Sequence, residues 1–167
     1  VFTARYYPFG WYNSYNLATG WDETDLKYEE KFKAVIGASA VYNGKEKDKK
    51  LADTDSIIGN VDLGMRYSGF TWDSEYYIRE NDLEDDGDSI TSDGFYTQAG
   101  CFVLPKKLEL AVRYSMLDPN EDMRDDVQTE YTAGINYYMR GHRQQIQTDV
   151  GHFVTETTET DKNENRF

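Results

Sequence analysis

The chain has 167 residues, a length typical of one domain. Its formal net charge of −13 argues against nucleic-acid binding, because that function needs a basic surface. Aromatic residues make up 15% of the chain although the mean hydropathy is −0.80, a combination typical of a membrane β-barrel, whose strands need one apolar face and whose interfaces carry aromatic girdles.

The first half of the chain predicts four β-strands, because apolar and polar residues tend to alternate in it. The four predicted strands cover Val1–Phe9, Lys31–Asn43, Asn60–Ser68 and Phe70–Glu80. The alternation is clearest in the third strand. An irregular link rich in aromatic residues, Gly10–Glu30, separates the first two strands.

The second half predicts four more strands of about ten residues each. They cover Gly94–Leu104, Leu108–Leu117, Thr129–Arg140 and Arg143–Val154, and a polar tail, Thr155–Phe167, follows them. The sequence therefore predicts about eight strands in total and an all-β fold.

The connections between the predicted strands alternate in length. The links after the third, fifth and seventh strands are tight turns, whereas those after the second, fourth and sixth are long and polar. Outer-membrane barrels have this pattern, with short turns facing the periplasm and long loops facing outside. We therefore predict an antiparallel transmembrane β-barrel, with the Gly10–Glu30 link on the periplasmic side. A soluble β-sandwich that acts as a binding module is the alternative for the same alternation.

The polar positions of the predicted strands supply the candidate site, which is a pore lining. Alternation places ten charged residues on the inward face: Asp62, Arg66, Asp73, Glu75, Arg79, Glu109, Arg113, Glu130, Arg143 and Asp149. One interpretation is that these residues are paired with one another in a wall that contacts water. The other is that the four arginines form part of an anion path.

The long loops are acidic. Residues 81–93 contain six carboxylates, and residues 118–128 contain five against one arginine. Because these loops are predicted to lie at the outer mouth, we expect the mouth to attract cations and to repel phosphate.

The first acidic loop also resembles a calcium-binding loop in its spacing, with Asp82, Glu84, Asp86 and Asp93 at positions 1, 3, 5 and 12 and Gly87 at position 6. Its flanks are strands, however, and position 12 is Asp rather than Glu. We therefore predict no metal site there.

No pattern of catalytic residues is recognisable. His142 falls in a tight turn and His152 in the outward row of the last strand, and neither has a Ser, Cys or second His at catalytic or ligand spacing. The single Cys101 lies in an outward row. We predict a protein that is not an enzyme and that needs no cofactor.

The second half of the chain resembles a known family. The segment from Phe95 to Asp149 reads FYTQAGCFVLPKKLELAVRYSMLDPNEDMRDDVQTEYTAGINYYMRGHRQQIQTD and is similar to the C-terminal half of the phosphate-selective porin O/P family. The upstream segments ARYYPFG and DLKYEEKFKAVIGASAVYN also fit that family.

The resemblance implies a trimeric outer-membrane channel with a barrel of about sixteen strands. It implies that residues 1–167 form a single porin domain, incomplete at both ends, with outer-membrane lipid, lipopolysaccharide, two further copies of the chain and small ions or solutes in transit as partners. The expected function is passive diffusion of small hydrophilic solutes, with phosphate selectivity opposed by the acidic loops. The alternative is a complete eight-stranded barrel that does not conduct and has a structural or adhesive role.

Overall fold

The structure is a computed structural model. It describes residues 1–10, 24–44, 55–82, 89–123, 126–141, 143–155 and the backbone of 162–166. The described residues form nine β-strands: β1 (Phe2–Tyr6), β2 (Lys33–Asn43), β3 (Ser56–Tyr67), β4 (Phe70–Asp82), β5 (Ser89–Leu104), β6 (Leu108–Asp118), β7 (Gln128–Tyr138), β8 (Gln145–Thr155) and β9 (Lys162–Arg166).

The nine strands form one antiparallel sheet in which every strand pairs with its neighbours in the sequence. Within the described part of the chain, β1 and β9 are the two edges and are not paired with each other, so the sheet is open. The all-β antiparallel fold and its meander order are those predicted from the sequence.

The predicted strand ends were wrong on the side of the long loops. β3 begins at Ser56, β4 continues to Asp82 and β5 begins at Ser89, so these strands include residues that were predicted as loop. Alternation in the sequence marks only the part of a strand that needs an apolar face. Backbone pairing continues beyond that part, because ladder hydrogen bonds do not depend on the side chains.

Two further predictions near the end of the chain need correction. The tail predicted as a polar loop contains the strand β9, which pairs with the end of β8. β8 begins at Gln145, so Arg143 lies in the turn before that strand rather than on its inward face.

The turn between β3 and β4 has the geometry of a tight hairpin. Ser68 and Gly69 have φ angles of 49° and 83°, the positive values that a two-residue type I′ turn requires. A Cβ atom at Gly69 would also lie 2.4 Å from the Tyr28 ring. Glycine is therefore required here both by the backbone and by the neighbouring aromatic side chain.

The sheet has little apolar core of its own. Among the described residues, the buried hydrophobic side chains are Ala34, Val35, Phe102 and Tyr138. By contrast, large apolar side chains in the middle of the outward face are open, with Val112 exposed by 59% and Ile135 by 52%. A water-soluble sandwich would cover such a face, whereas in a barrel wall the bilayer covers it.

No helix in the described ranges is both long enough and apolar enough to span a bilayer.

Candidate functional site on the polar face of the sheet

The strand register places most of the predicted pore-lining residues on one face of the sheet. Nine of the ten belong to β3, β4, β6, β7 and β8 and share the face opposite the apolar side chains. These nine are Asp62, Arg66, Asp73, Glu75, Arg79, Glu109, Arg113, Glu130 and Asp149. We call this side of the sheet the polar face. That it lines a water-filled lumen stays a prediction.

The charges on β1, β3 and β4 form one group, the charged patch, defined as Arg5, Asp62, Arg66, Asp73 and Glu75. Asp62 and Glu75 lie directly opposite each other in the ladder. The Arg66 guanidinium lies 2.9 Å from the Asp73 carboxylate, and its side chain is only 5% exposed. Arg5 Nε lies 4.0 Å from Asp62 Oδ2. Arg66 is thus ion-paired and hydrogen-bonded within the charged patch, whereas Arg5 Nε and Asp62 Oδ2 approach each other only to the outer limit of an ion pair.

Other polar contacts hold the charged patch against the wall. Arg66 Nη1 also donates to the carbonyl oxygen of Met65 at 2.8 Å. The Asn60 amide donates to Glu75 Oε1 and accepts a hydrogen bond from the Ser39 hydroxyl. The contacts of Arg66 with Met65 and Asp73 direct its guanidinium along the sheet rather than away from it.

The four arginines do not form a continuous ladder on the described surface. Arg66 lies opposite Thr71, and Arg79 lies eight residues further along β4, from position 71 to position 79. At about 3.4 Å per residue, this offset separates the two levels by about 27 Å. In the strand register, Arg113 on β6 lies opposite Gln98 on β5, and Gln98 lies opposite Asp73 on β4. Its guanidinium packs 4.7 Å above the centre of the Tyr96 ring.

A segment that the sequence did not mark as functional packs on the polar face at the end where the tight turns lie. Residues 24–30, here called the strap, belong to the long link between β1 and β2. The Gly69 N–H donates to Asp25 Oδ2 at 2.7 Å, and the Ser68 N–H donates to the Glu29 carbonyl oxygen at 2.8 Å. The strap is therefore fixed to the turn between β3 and β4.

The second attachment of the strap is the carboxylate of Glu109. The Thr24 hydroxyl donates to Glu109 Oε1 at 2.6 Å, while Asn136 Nδ2 and the Tyr138 hydroxyl donate to Oε2 at 3.1 and 2.8 Å. Glu109 is only 3% exposed. Three donors on one carboxylate compensate for its burial. Thr24 and Asp25 were missed in the sequence because no periodic pattern marks an irregular link. Tyr138 lies on the polar face of β7 and was missed because the predicted pore lining included only charged residues.

A recess lies beside the strap, on the polar face of β5 to β8. Its volume is about 270 Å³. Its floor consists of Gly100, Ala111 and Gly134, which are adjacent in the register. The side chains of longer polar residues surround this floor: Thr24, Thr71, Gln98, Glu109, Arg113, Thr132, Asn136, Gln147 and Asp149.

Several sequence predictions fall partly or wholly outside the described residues. His142 lies outside them, as do residues 83–88 of the acidic loop with calcium-like spacing. In the parts of the chain that the structure does describe, no group of three or more His, Cys, Asp or Glu side chains is arranged to hold a metal ion.

An antiparallel meander with one polar face and one open apolar face is the arrangement of the wall of a transmembrane β-barrel. The family model described as phosphate-selective porin O and P matches residues 4–166, nearly the whole chain. The chain therefore belongs to the phosphate-selective porin O and P family, which is a family of outer-membrane channels and not of enzymes. Comparison with curated proteins and with solved structures gave no match.

Proposed function

We propose that this protein lets small hydrophilic solutes and ions diffuse passively through a water-filled barrel in the bacterial outer membrane, without a preference for phosphate. The main observation in support of this proposal is that the two faces of the sheet differ in polarity. Charged and amide side chains occupy one face, and exposed Val, Leu, Ile and Tyr side chains occupy the other. A bilayer on one side and water on the other satisfy both faces.

The sign of the charges on the polar face supports a pore without a preference for anions such as phosphate. Of the nine predicted pore-lining residues in the strands, three are arginines and six are carboxylates. Arg66 is neutralised by Asp73 and lies against the sheet. An anion path requires a dominant positive field, which these residues do not generate.

The residues at the loop end of the sheet act in the same direction. Asp93 and Asp118 are paired in the ladder between β5 and β6, on the outward face of the sheet, and Glu121 follows them, with its N–H donating to the Thr91 carbonyl oxygen at 3.0 Å. These carboxylates lie beside the proposed mouth rather than in the lumen, so they act on ions through the long-range field, which favours cations.

The open sheet bears on the architecture of the domain. Unpaired strand edges do not occur in the hydrocarbon region, so β1 and β9 need partners there. In our proposal residues 1–167 form one domain of barrel wall, which further strands close into the larger barrel of the family. Assembly as a homotrimer and contact of the outward face with lipid and lipopolysaccharide belong to the same proposal.

The test is conductance of the full-length protein in a planar bilayer under a KCl gradient. We expect an ohmic pore whose reversal potential lies near zero or favours K⁺, and whose current is unchanged by millimolar inorganic phosphate. An anion-selective current that phosphate blocks would contradict the proposed selectivity. A correctly folded barrel without conductance would favour the alternative of a structural or adhesive barrel.

A further inference from the structure

The floor of the recess consists of small residues, of which Gly100 is buried and Ala111 and Gly134 are half-buried. Gly100, Ala111 and Gly134 lie side by side on β5, β6 and β7, in the row that begins with Thr71 on β4 and ends with Asp149 on β8. A Cβ atom at Gly100 would lie 2.5 Å from Glu109 Oε1, so a larger residue would displace the carboxylate that holds the strap. Ala111 and Gly134 leave a shallow area that is bounded by longer polar residues.

The side chains around this floor have unused hydrogen-bonding capacity. Gln98, Gln147, Asp149 and Arg113 make no side-chain hydrogen bond or ion pair with any residue in the described part of the chain, and the one contact of the Arg113 side chain there is with the Tyr96 ring. Glu109, in contrast, already accepts three hydrogen bonds. The recess therefore presents two amides, one guanidinium and one carboxylate to whatever occupies it.

We propose that the recess is a binding site for a small neutral polyhydroxylated solute of the size of a monosaccharide. The inference rests on the proposed pore function, since the solute reaches the recess from the lumen. Each hydroxyl group both donates and accepts a hydrogen bond, and each glutamine amide does the same. A mixed set of donors and acceptors around a shallow floor complements a ring that carries several hydroxyl groups.

The charges of the recess disfavour ionic solutes. Asp149 and Glu109 oppose an anion, and Arg113 opposes a cation.

The size of the recess agrees with a small solute. Pockets that hold drug-sized ligands measure roughly 300–1,000 Å³. The recess, at about 270 Å³, lies just below that range. The strap forms one side of it through Thr24, so the solute is held between the strap and the wall.

The experiment is ligand-observed saturation-transfer NMR with D-glucose on the full-length protein, in a detergent without a sugar headgroup. We expect saturable binding by the wild-type protein. Gln147→Ala removes one amide of the rim, and we expect it to raise the Kd for glucose at least fivefold. Gly134→Val fills the floor, where a Cβ atom meets its nearest neighbour at 3.5 Å, and we expect the same or a larger effect.

Gly59→Val is the matched control, because Gly59 lies on the outward face and a Cβ atom there meets Ile78 at 3.7 Å. Its Kd for glucose should equal that of the wild-type protein, and heat-modifiable gel mobility should show that every variant is folded. Linear binding, equal Kd values in all four proteins, or displacement of glucose by inorganic phosphate or glycine would overturn the inference. The NMR assay does not require conductance, so its failure is distinct from failure of the pore function.

Discussion

The charged patch and the recess share the polar face but use their polar groups in opposite ways. In the charged patch, Arg66 and Arg5 are matched to Asp73 and Asp62. In the recess, the side chains of Gln98, Gln147 and Asp149 form no hydrogen bond with other described residues. In our proposals the two regions have different tasks: the charges of the patch keep the field in the pore weak, and the unused polar groups of the recess are available to a solute.

The largest expected effect comes from Glu109, which connects the recess to the strap. Glu109→Ala leaves the hydroxyl groups of Thr24 and Tyr138 and the amide of Asn136 without their acceptor. Because each unsatisfied buried donor costs about 1–3 kcal/mol, we expect a loss of free energy of unfolding on the order of 4 kcal/mol. Urea unfolding of the detergent-solubilised protein, followed by gel mobility, measures this loss.

Glu130→Ala is the control for that variant. Glu130 is also a carboxylate on the polar face, but the one side-chain hydrogen bond that the described residues give it is a long one, 3.3 Å from the Thr132 hydroxyl. We expect a loss of less than about 1 kcal/mol. Equal losses in the two variants would mean that Glu109 does not anchor the strap.

A smaller effect separates Arg66 from Arg113. Both variants, Arg66→Ala and Arg113→Ala, remove one positive charge from the polar face, so both should move the reversal potential towards K⁺. Their effects on stability should differ. Arg66→Ala leaves Asp73 without its cation in a site that is largely buried, at a cost of about 3 kcal/mol. Arg113→Ala removes a contact with an aromatic ring at an exposed position, at a cost of about 0.5–1 kcal/mol.

Reversal potentials and urea unfolding, measured on the same two variants, check this comparison. If Arg113→Ala destabilised the protein as much as Arg66→Ala, the distinction between a self-paired patch and an open recess would be lost.

The sequence predicted the wall better than what is attached to the wall. Alternation in Asn60–Ser68 or Thr129–Arg140 reports directly which side chains face lipid, because the lipid-facing positions must be apolar. For that reason it also predicted that Asp62, Glu109 and Asp149 lie on the opposite face, the polar face, as the register shows. It could not locate the strap. The Asp25 carboxylate accepts hydrogen bonds from the N–H groups of Glu29 and Gly69, and neither the strap nor the turn at Gly69 has an alternating pattern that would reveal these contacts.

The register adds information about the charges that the sequence does not contain. Four arginines on inward positions were compatible with an anion path or with paired wall residues. The relation of Arg66 to Asp73 depends on how β3 aligns with β4, and the height of Arg79 depends on how far β4 extends. Neither the alignment of two strands nor the full length of a strand can be read from the alternation within one strand. The ends of β3, β4 and β5 at the loop side were missed for the same reason, because only pairing extends there.

The central claim is that the polar face contacts water while the apolar face contacts lipid. Cysteine accessibility tests it most directly, because Cys101 is the single native cysteine and can be removed as Cys101→Ala. In that background, Gln147→Cys places a thiol on the polar face and Ile135→Cys places one on the outward face. A charged, membrane-impermeant thiol reagent is then added to the protein in a bilayer. The account predicts that the reagent modifies the cysteine at position 147 and lowers the conductance, and that it leaves the cysteine at position 135 unmodified. Modification at position 135 with none at position 147 would contradict it.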